Sequence, residues 1–183
     1  GSYQLSLRAI DEDNDSVVKN FTLVVENKKA GTVLITNAVN KKGVPYEVSV
    51  IRNGETPNFN SKQKRSTTYT EEINFSNAGR SAGLPFIKTD INDTAETAPD
   101  FLSFDIDSDA IVYVAYEKFD KQLQSTIPAW LKEWKKEDGE IAAQYRYFDV
   151  YSRNFPKGKI TIPGADARRN GVVCNYFVMI ARK

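Results

Sequence analysis

A chain of 183 residues is long enough to bury one sizeable core, and 40% apolar with 27% charged residues is ordinary for a globular protein, not a disordered or membrane class. With 25 Lys and Arg against 24 Asp and Glu, the formal charge of +1 supplies no field to gather nucleic acid or an anionic membrane surface. Histidine is absent and Cys174 is the only cysteine, which excludes Ser-His-Asp and Cys-His nucleophile systems, imidazole-held zinc and an internal disulfide.

The first predicted elements alternate with period two. Tyr3, Leu5, Leu7 and Ala9 share one strand face, and Val18, Phe21, Leu23 and Val25 follow after the acidic turn Asp11-Glu12-Asp13-Asn14-Asp15. This hairpin resembles the closing strands of immunoglobulin-like, cadherin-like or polycystic-kidney-disease-type repeats of surface proteins. The resemblance implies that residues 1–29 end a preceding repeat or form a linker, and that 30–183 make a second module. Strands are then expected over 32–38 and 46–52, with a tight turn at Asn53-Gly54, an exposed polar loop over 55–66 and a strand over 67–73. Further strands are expected over 85–89, 101–106 and 110–116. The last of these, Ile111-Val112-Tyr113-Val114-Ala115-Tyr116, has the β-branched and aromatic content of a buried strand. Pro128 opens a run of helix formers that predicts one short helix over 129–137, stopped by Gly139 and placing Trp130 and Trp134 on one face. Strands return over 145–152, 159–162 and 172–182, so the expected fold is all-β, a sandwich or jelly roll with one short helix. No run of about 18 apolar residues is present to cross a bilayer, and any export signal is expected outside this sequence.

A longer pattern runs through Leu84-Pro85-Phe86-Ile87-Lys88-Thr89, Asn92-Asp93, Asp100-Phe101-Leu102-Ser103-Phe104, Val112-Tyr113-Val114-Ala115-Tyr116 and Pro128-Ala129-Trp130-Leu131. It continues in Tyr151-Ser152-Arg153-Asn154-Phe155-Pro156-Lys157-Gly158 and Ile160-Thr161-Ile162-Pro163-Gly164. This pattern resembles an accessory module of large secreted bacterial proteins, including polysaccharide lyases. The resemblance implies a β-sandwich of galactose-binding-like, carbohydrate-binding character, extracellular or at the cell surface and covalently joined to other domains. It departs at Glu117-Lys118-Phe119, where Asp-Asp-Arg or Asp-x-Arg is usual, and at Pro163 and Ala165, where Leu-Gly-Gly-Asn is usual.

Sugars bind by stacking C–H faces on aromatic rings while polar side chains take the hydroxyls. Trp130 and Trp134, with Tyr116 nearby in the pattern, are therefore the candidate ligand platform, or else plugs at the end of the core. Lys118, Arg146 and Arg153, joined by Lys132, Lys135 and Lys136, form either a basic face for uronate or sulfate groups or an ordinary surface of mixed charge. Asp11, Asp13 and Asp15 are the first candidates for calcium, followed by Asp90, Asn92 and Asp93, and by Asp105, Asp107 and Asp109. Cys174, in an apolar run, is expected to be buried filler. What survives of catalysis is a carboxylate pair or a Lys or Tyr base, and no pair is singled out. The expected function is therefore non-catalytic binding of a plant or algal polysaccharide, an acidic one if those lysines and arginines form the basic face. The rival expectation is a structural or protein-interaction spacer of a surface protein.

Overall fold

The computed structural model describes residues 2–10, 16–24, 32–59, 62–64, 70–118, 127–144, 146–166 and 174–183. Contacts divide the chain into two units, Gly1–Thr32 and Val33–Lys183. The first unit holds strands β1 (Ser2–Ile10) and β2 (Ser16–Val24), an antiparallel pair with Tyr3 opposite Leu23, Leu5 opposite Phe21 and Ala9 opposite Val17. Val18 falls opposite Arg8, out of phase with Phe21 and Leu23. The acidic turn 11–15 lies outside the described residues, and with it the calcium candidates Asp11, Asp13 and Asp15.

In the second unit, β3 (Ile35–Asn40), β4 (Val48–Val50), β5 (Asn58–Phe59), β6 (Lys62–Lys64), β7 (Thr70–Glu72) and β8 (Phe75–Asn77) come first. They are followed by β9 (Pro85–Ile87), β10 (Thr89–Asp90), β11 (Leu102–Ile106), β12 (Ala110–Lys118), β13 (Lys135–Ala143), β14 (Arg146–Phe155), β15 (Gly158–Ile162) and β16 (Phe177–Arg182). One sheet has seven strands in the order β4-β9-β16-β12-β14-β13-β8, and a second has three in the order β15-β11-β3. The fold is an all-β sandwich, with no helix of seven or more residues among the described residues.

Period two explains the packing. Val112, Val114 and Tyr116 of β12, with Val178 and Ile180 of β16, face Leu102, Phe104, Ile160 and Ile162 of the small sheet and form the first core. The alternate positions, Ala115, Phe148, Val150, Phe177 and Met179, form a second core on the other face. A strand covered on both sides needs apolar residues at every position, which is why β12 reads as a continuous apolar run. Each large side chain so buried contributes roughly 1.5–3 kcal/mol.

The second core is covered because the large sheet curls over it. Residues following β4 run beside β8, where Gly54 N donates to Phe75 O and Phe75 N to Glu55 O, each at 2.8 Å, so the two edges of the sheet meet. Phe75 then lies 5.7 Å from Phe86 and 5.2 Å from Phe177, and Phe148 lies 5.2 Å from Phe177, all with steeply inclined rings. Edge-to-face pairs of this kind add to the area they bury. Joining the edges also removes two exposed strand edges that would otherwise invite aggregation.

The helix expected over 129–137 is one five-residue 3-10 turn, Ala129–Glu133. Leu131 N donates to Pro128 O and Trp134 N to Leu131 O, after which the chain leaves as β13, with Lys135 opposite Ser152 and Lys136 opposite Tyr151. A nine-residue helix is marginal alone, and pairing 135–143 between β14 and β8 satisfies more of its backbone than a second helical turn would. The loop expected over 55–66 contains β5, which pairs in parallel with β10, and β6, which pairs with β7.

Candidate functional site

Between Lys136, opposite Tyr151, and Glu140, opposite Asp149, three residues of β13 stand against Val150 alone. Glu137, Asp138 and Gly139 therefore bulge out of the sheet, with Gly139 at φ +97°, a conformation that a side chain resists. The bulge forms one wall of a cleft of about 420 Å³. Tyr113, Ile141 and Val150 of the curled sheet line it, together with Ala78, Gly79, Arg80, Ser81 and Leu84 of the β8–β9 connection. The volume lies toward the lower end of the range in which proteins hold small molecules, about 300–1,000 Å³.

The side chains in the cleft are fixed to different degrees. Glu137 accepts hydrogen bonds from Ser152 Oγ at 2.5 Å and from Lys135 Nζ at 3.0 Å. The Ser152 bond first, and the Lys135 bond and charge next, hold its carboxyl below the usual range, so it is ionised at neutral pH. The half-buried Tyr113 phenol is pushed up by burial first and by the Glu137 charge second, and keeps its proton. Arg80 and Asp138 are both exposed, and neither has a hydrogen-bond or ion-pair partner among the described residues. The cleft thus sets a partly open phenol ring and apolar side chains beside an unpaired guanidinium and carboxylates.

The expected platform lies elsewhere. Trp134 is 8% exposed and belongs to the first core, its ring centroid 5.7 Å from that of Phe155 and 5.9 Å from that of Trp130. Trp130 is half-buried, packs on Tyr176 at 6.0 Å and donates from Nε1 to Gly164 O at 3.1 Å. Tyr116 is 2% exposed and donates from its hydroxyl to Ala165 O. These rings plug the end of the sandwich, and burial removes from Trp134 and Tyr116 the open face that stacking requires.

The expected basic face is likewise broken up. Lys118 pairs with Glu140 at 3.6 Å and Asp149 at 3.9 Å, Lys136 pairs with Asp149 at 2.7 Å, and Lys135 with Glu137. Arg146 is paired with the buried Glu117, whose second oxygen accepts from Cys174 N at 2.6 Å. Arg153 is exposed, with Cζ 5.9 Å from the Phe155 ring centroid. Lys132 is exposed on the 3-10 turn. Of the predicted residues, the fold brings Trp130 and Trp134 together, and joins Lys118 and Lys136 through Asp149 into one ion-pair network of mixed sign.

The second and third acidic clusters hold loops. Asp90 caps Asn92 N at 2.8 Å, while Asp93 accepts from Tyr46 Oη at 2.6 Å and Asn40 Nδ2 at 3.3 Å. Asp105 accepts from Asn37 Nδ2, Asp107 from Leu34 N and Asp109 from Lys157 N. Among the described residues, no three Asp, Glu, Cys or His side chains converge as a metal-binding group. Cys174 is 2% exposed, and burial first, with the nearby Glu117 charge, pushes its thiol up to about 12. It is inert filler, as expected.

Reading the sequence alone did not find Arg80, Glu137 or Asp138, and placed Tyr113 only as core. The available signal is Asp138-Gly139, a turn dipeptide directly after the segment 129–137.

No family model matches the chain, and no curated protein does. Among solved structures, it is similar to part of a β-glucuronidase from glycoside hydrolase family 2, with a TM-score of 0.62 and 12% identity over 100% of this chain and 21% of that one. It is also similar to part of a GH138 enzyme targeting pectin rhamnogalacturonan II, with a TM-score of 0.53 and 15% identity over 88% of this chain and 17% of that one. The chain therefore spans about a fifth of the length of the structures it matches. At these identities the likeness establishes the fold, an all-β arrangement also present within carbohydrate-active enzymes.

Proposed function

We propose that this chain is a non-catalytic carbohydrate-binding module that holds a larger extracellular protein against polysaccharide. The observation that carries the reading is the cleft in which the Tyr113 ring stands beside the unpaired Arg80 and Asp138. A ring face, apolar walls and hydroxyl-binding groups of both signs are what a pyranose needs. The resemblance to accessory modules of secreted polysaccharide-acting proteins, and the likeness to pieces of two glycoside hydrolases, support the same ligand class. Tethering works by raising local concentration and needs no chemistry in the module itself.

A second reading, a structural spacer that binds no sugar, is favoured by the burial of Trp134 and the pairing of the lysines. A glycan array with the full chain separates the two, run with calcium and with chelator so that any metal held by Asp11, Asp13 and Asp15 is also detected. The binding module retains at least one glycan class, and Tyr113→Ala loses it. Because truncating a half-buried ring also costs stability, Arg80→Ala, at an exposed position, is the paired variant. Retention unaltered in both variants refutes the assignment to this cleft, and no retention of any glycan leaves the spacer.

A further inference from the structure

Resting on the carbohydrate-binding reading, we infer that the cleft selects uncharged sugars and rejects uronates, against the acidic ligand that a basic face of lysines and arginines would take. The charges along the bulge carry this inference. Glu137, Asp138 and Glu140 all line the cleft, whereas Arg80 is the cation on its lining. The lysines that sequence reading offered to an acidic polymer are turned to these same acids and to Asp149: Lys135 to Glu137, Lys118 to Glu140 and Asp149, Lys136 to Asp149. Glu137 is held as a carboxylate by Ser152 Oγ at 2.5 Å and by Lys135, and Asp138 has no ion-pair partner.

A sugar carboxylate entering here meets one guanidinium, the unpaired Asp138 and two further carboxylates whose lysine partners do not line the cleft, and like-charge juxtaposition across an interface is costly. A neutral sugar meets no such penalty. Its hydroxyls donate to Asp138 and to the remaining acceptor positions of Glu137, and accept from Arg80, while a C–H face lies on Tyr113. The selectivity is therefore built as repulsion of the wrong ligand together with attraction of the right one.

The experiment is affinity electrophoresis of the full chain in gels containing galacturonan, glucuronan or mannuronan, each beside its carboxyl-reduced, uncharged form. Each polymer pair differs in charge with the ring stereochemistry kept. The expected result is retention on at least one reduced polymer and about tenfold weaker retention on its acidic parent, the difference shrinking in Asp138→Asn and with added salt. Stronger retention on the acidic parent, or a difference that Asp138→Asn leaves unchanged, overturns the inference while leaving carbohydrate binding intact. Failure to be retained by any of the six polymers or by any arrayed glycan overturns the binding reading itself, and the selectivity falls with it.

Discussion

Replacing Trp134 by Ala separates a core ring from a sugar platform. At 8% exposure, with its ring 5.9 Å from Trp130 at 75° and 5.7 Å from Phe155, Trp134 ties the end of the 3-10 turn to the first core. A ring of this size buries about 150–250 Å². At about 25 cal/mol per Å² the loss is roughly 4–6 kcal/mol. The part already buried in a compact denatured chain lowers that figure by about 10–40%. The expected destabilisation is therefore about 3–5 kcal/mol, the range seen when large aromatic side chains are cut to Ala in cores. In a domain of this size each kcal/mol moves the midpoint by about 2–4 °C, so Trp134→Ala lowers it by about 6 °C or more. Trp134→Phe, which keeps a ring against Phe155, loses less. Thermal and urea denaturation followed by tryptophan fluorescence and circular dichroism read the effect, with glycan retention measured well below the transition. An unchanged midpoint together with lost retention would show that the ring works at the surface and that the burial argument is wrong.

Other perturbations test the parts that position the cleft and close the core. Gly164→Ala drives a Cβ to 2.1 Å from the Glu96 carbonyl oxygen, a clash with backbone that must displace the chain. It is expected to cost about 1–3 kcal/mol, the usual range for overpacking, and a wild-type urea midpoint would contradict it. Glu117→Ala removes the carboxylate that pairs with Arg146 and accepts from the buried Cys174 N–H. Breaking a buried pair from one side costs about 3–5 kcal/mol, and Glu117→Gln, which keeps an acceptor for Cys174 N, is expected to cost less. If the two variants unfold together, the Cys174 contact contributes nothing. For Glu137, the folded carboxyl is the depressed one, so its interactions are fully present above the ordinary value of 4.5 and are lost as pH falls through the lower value. Glycan retention is therefore expected to hold above the ordinary value and to fall only as the pH drops below it, with Ser152→Ala moving the fall upward; near-ultraviolet circular dichroism checks that the fold persists.

Much of the architecture was legible because it depends on local alternation. The runs that became β12, β14 and β16 are rich in β-branched and aromatic residues, and no other regular structure buries such runs so economically. Burial of Cys174 followed from its apolar neighbours. The segment 129–137 was misread because Lys, Glu, Leu and Trp in sequence look helical, while the pairing that overrides them comes from β14, in contact only after folding.

The sequence by itself determined that the molecule is all-β, and the lack of imidazole withholds from it the commonest proton-transfer and nucleophile systems, whatever the tertiary arrangement. Which rings face solvent was decided only by the tertiary structure. Period two says which residues share a face but not whether that face is covered, and both faces of the large sheet are. Charge was decided in the same way. Lys136 pairs across strands and Lys135 within its own, so whether they offer a basic patch or pair with Asp149 and Glu137 depends on register, and on a bulge of three residues that opens the cleft.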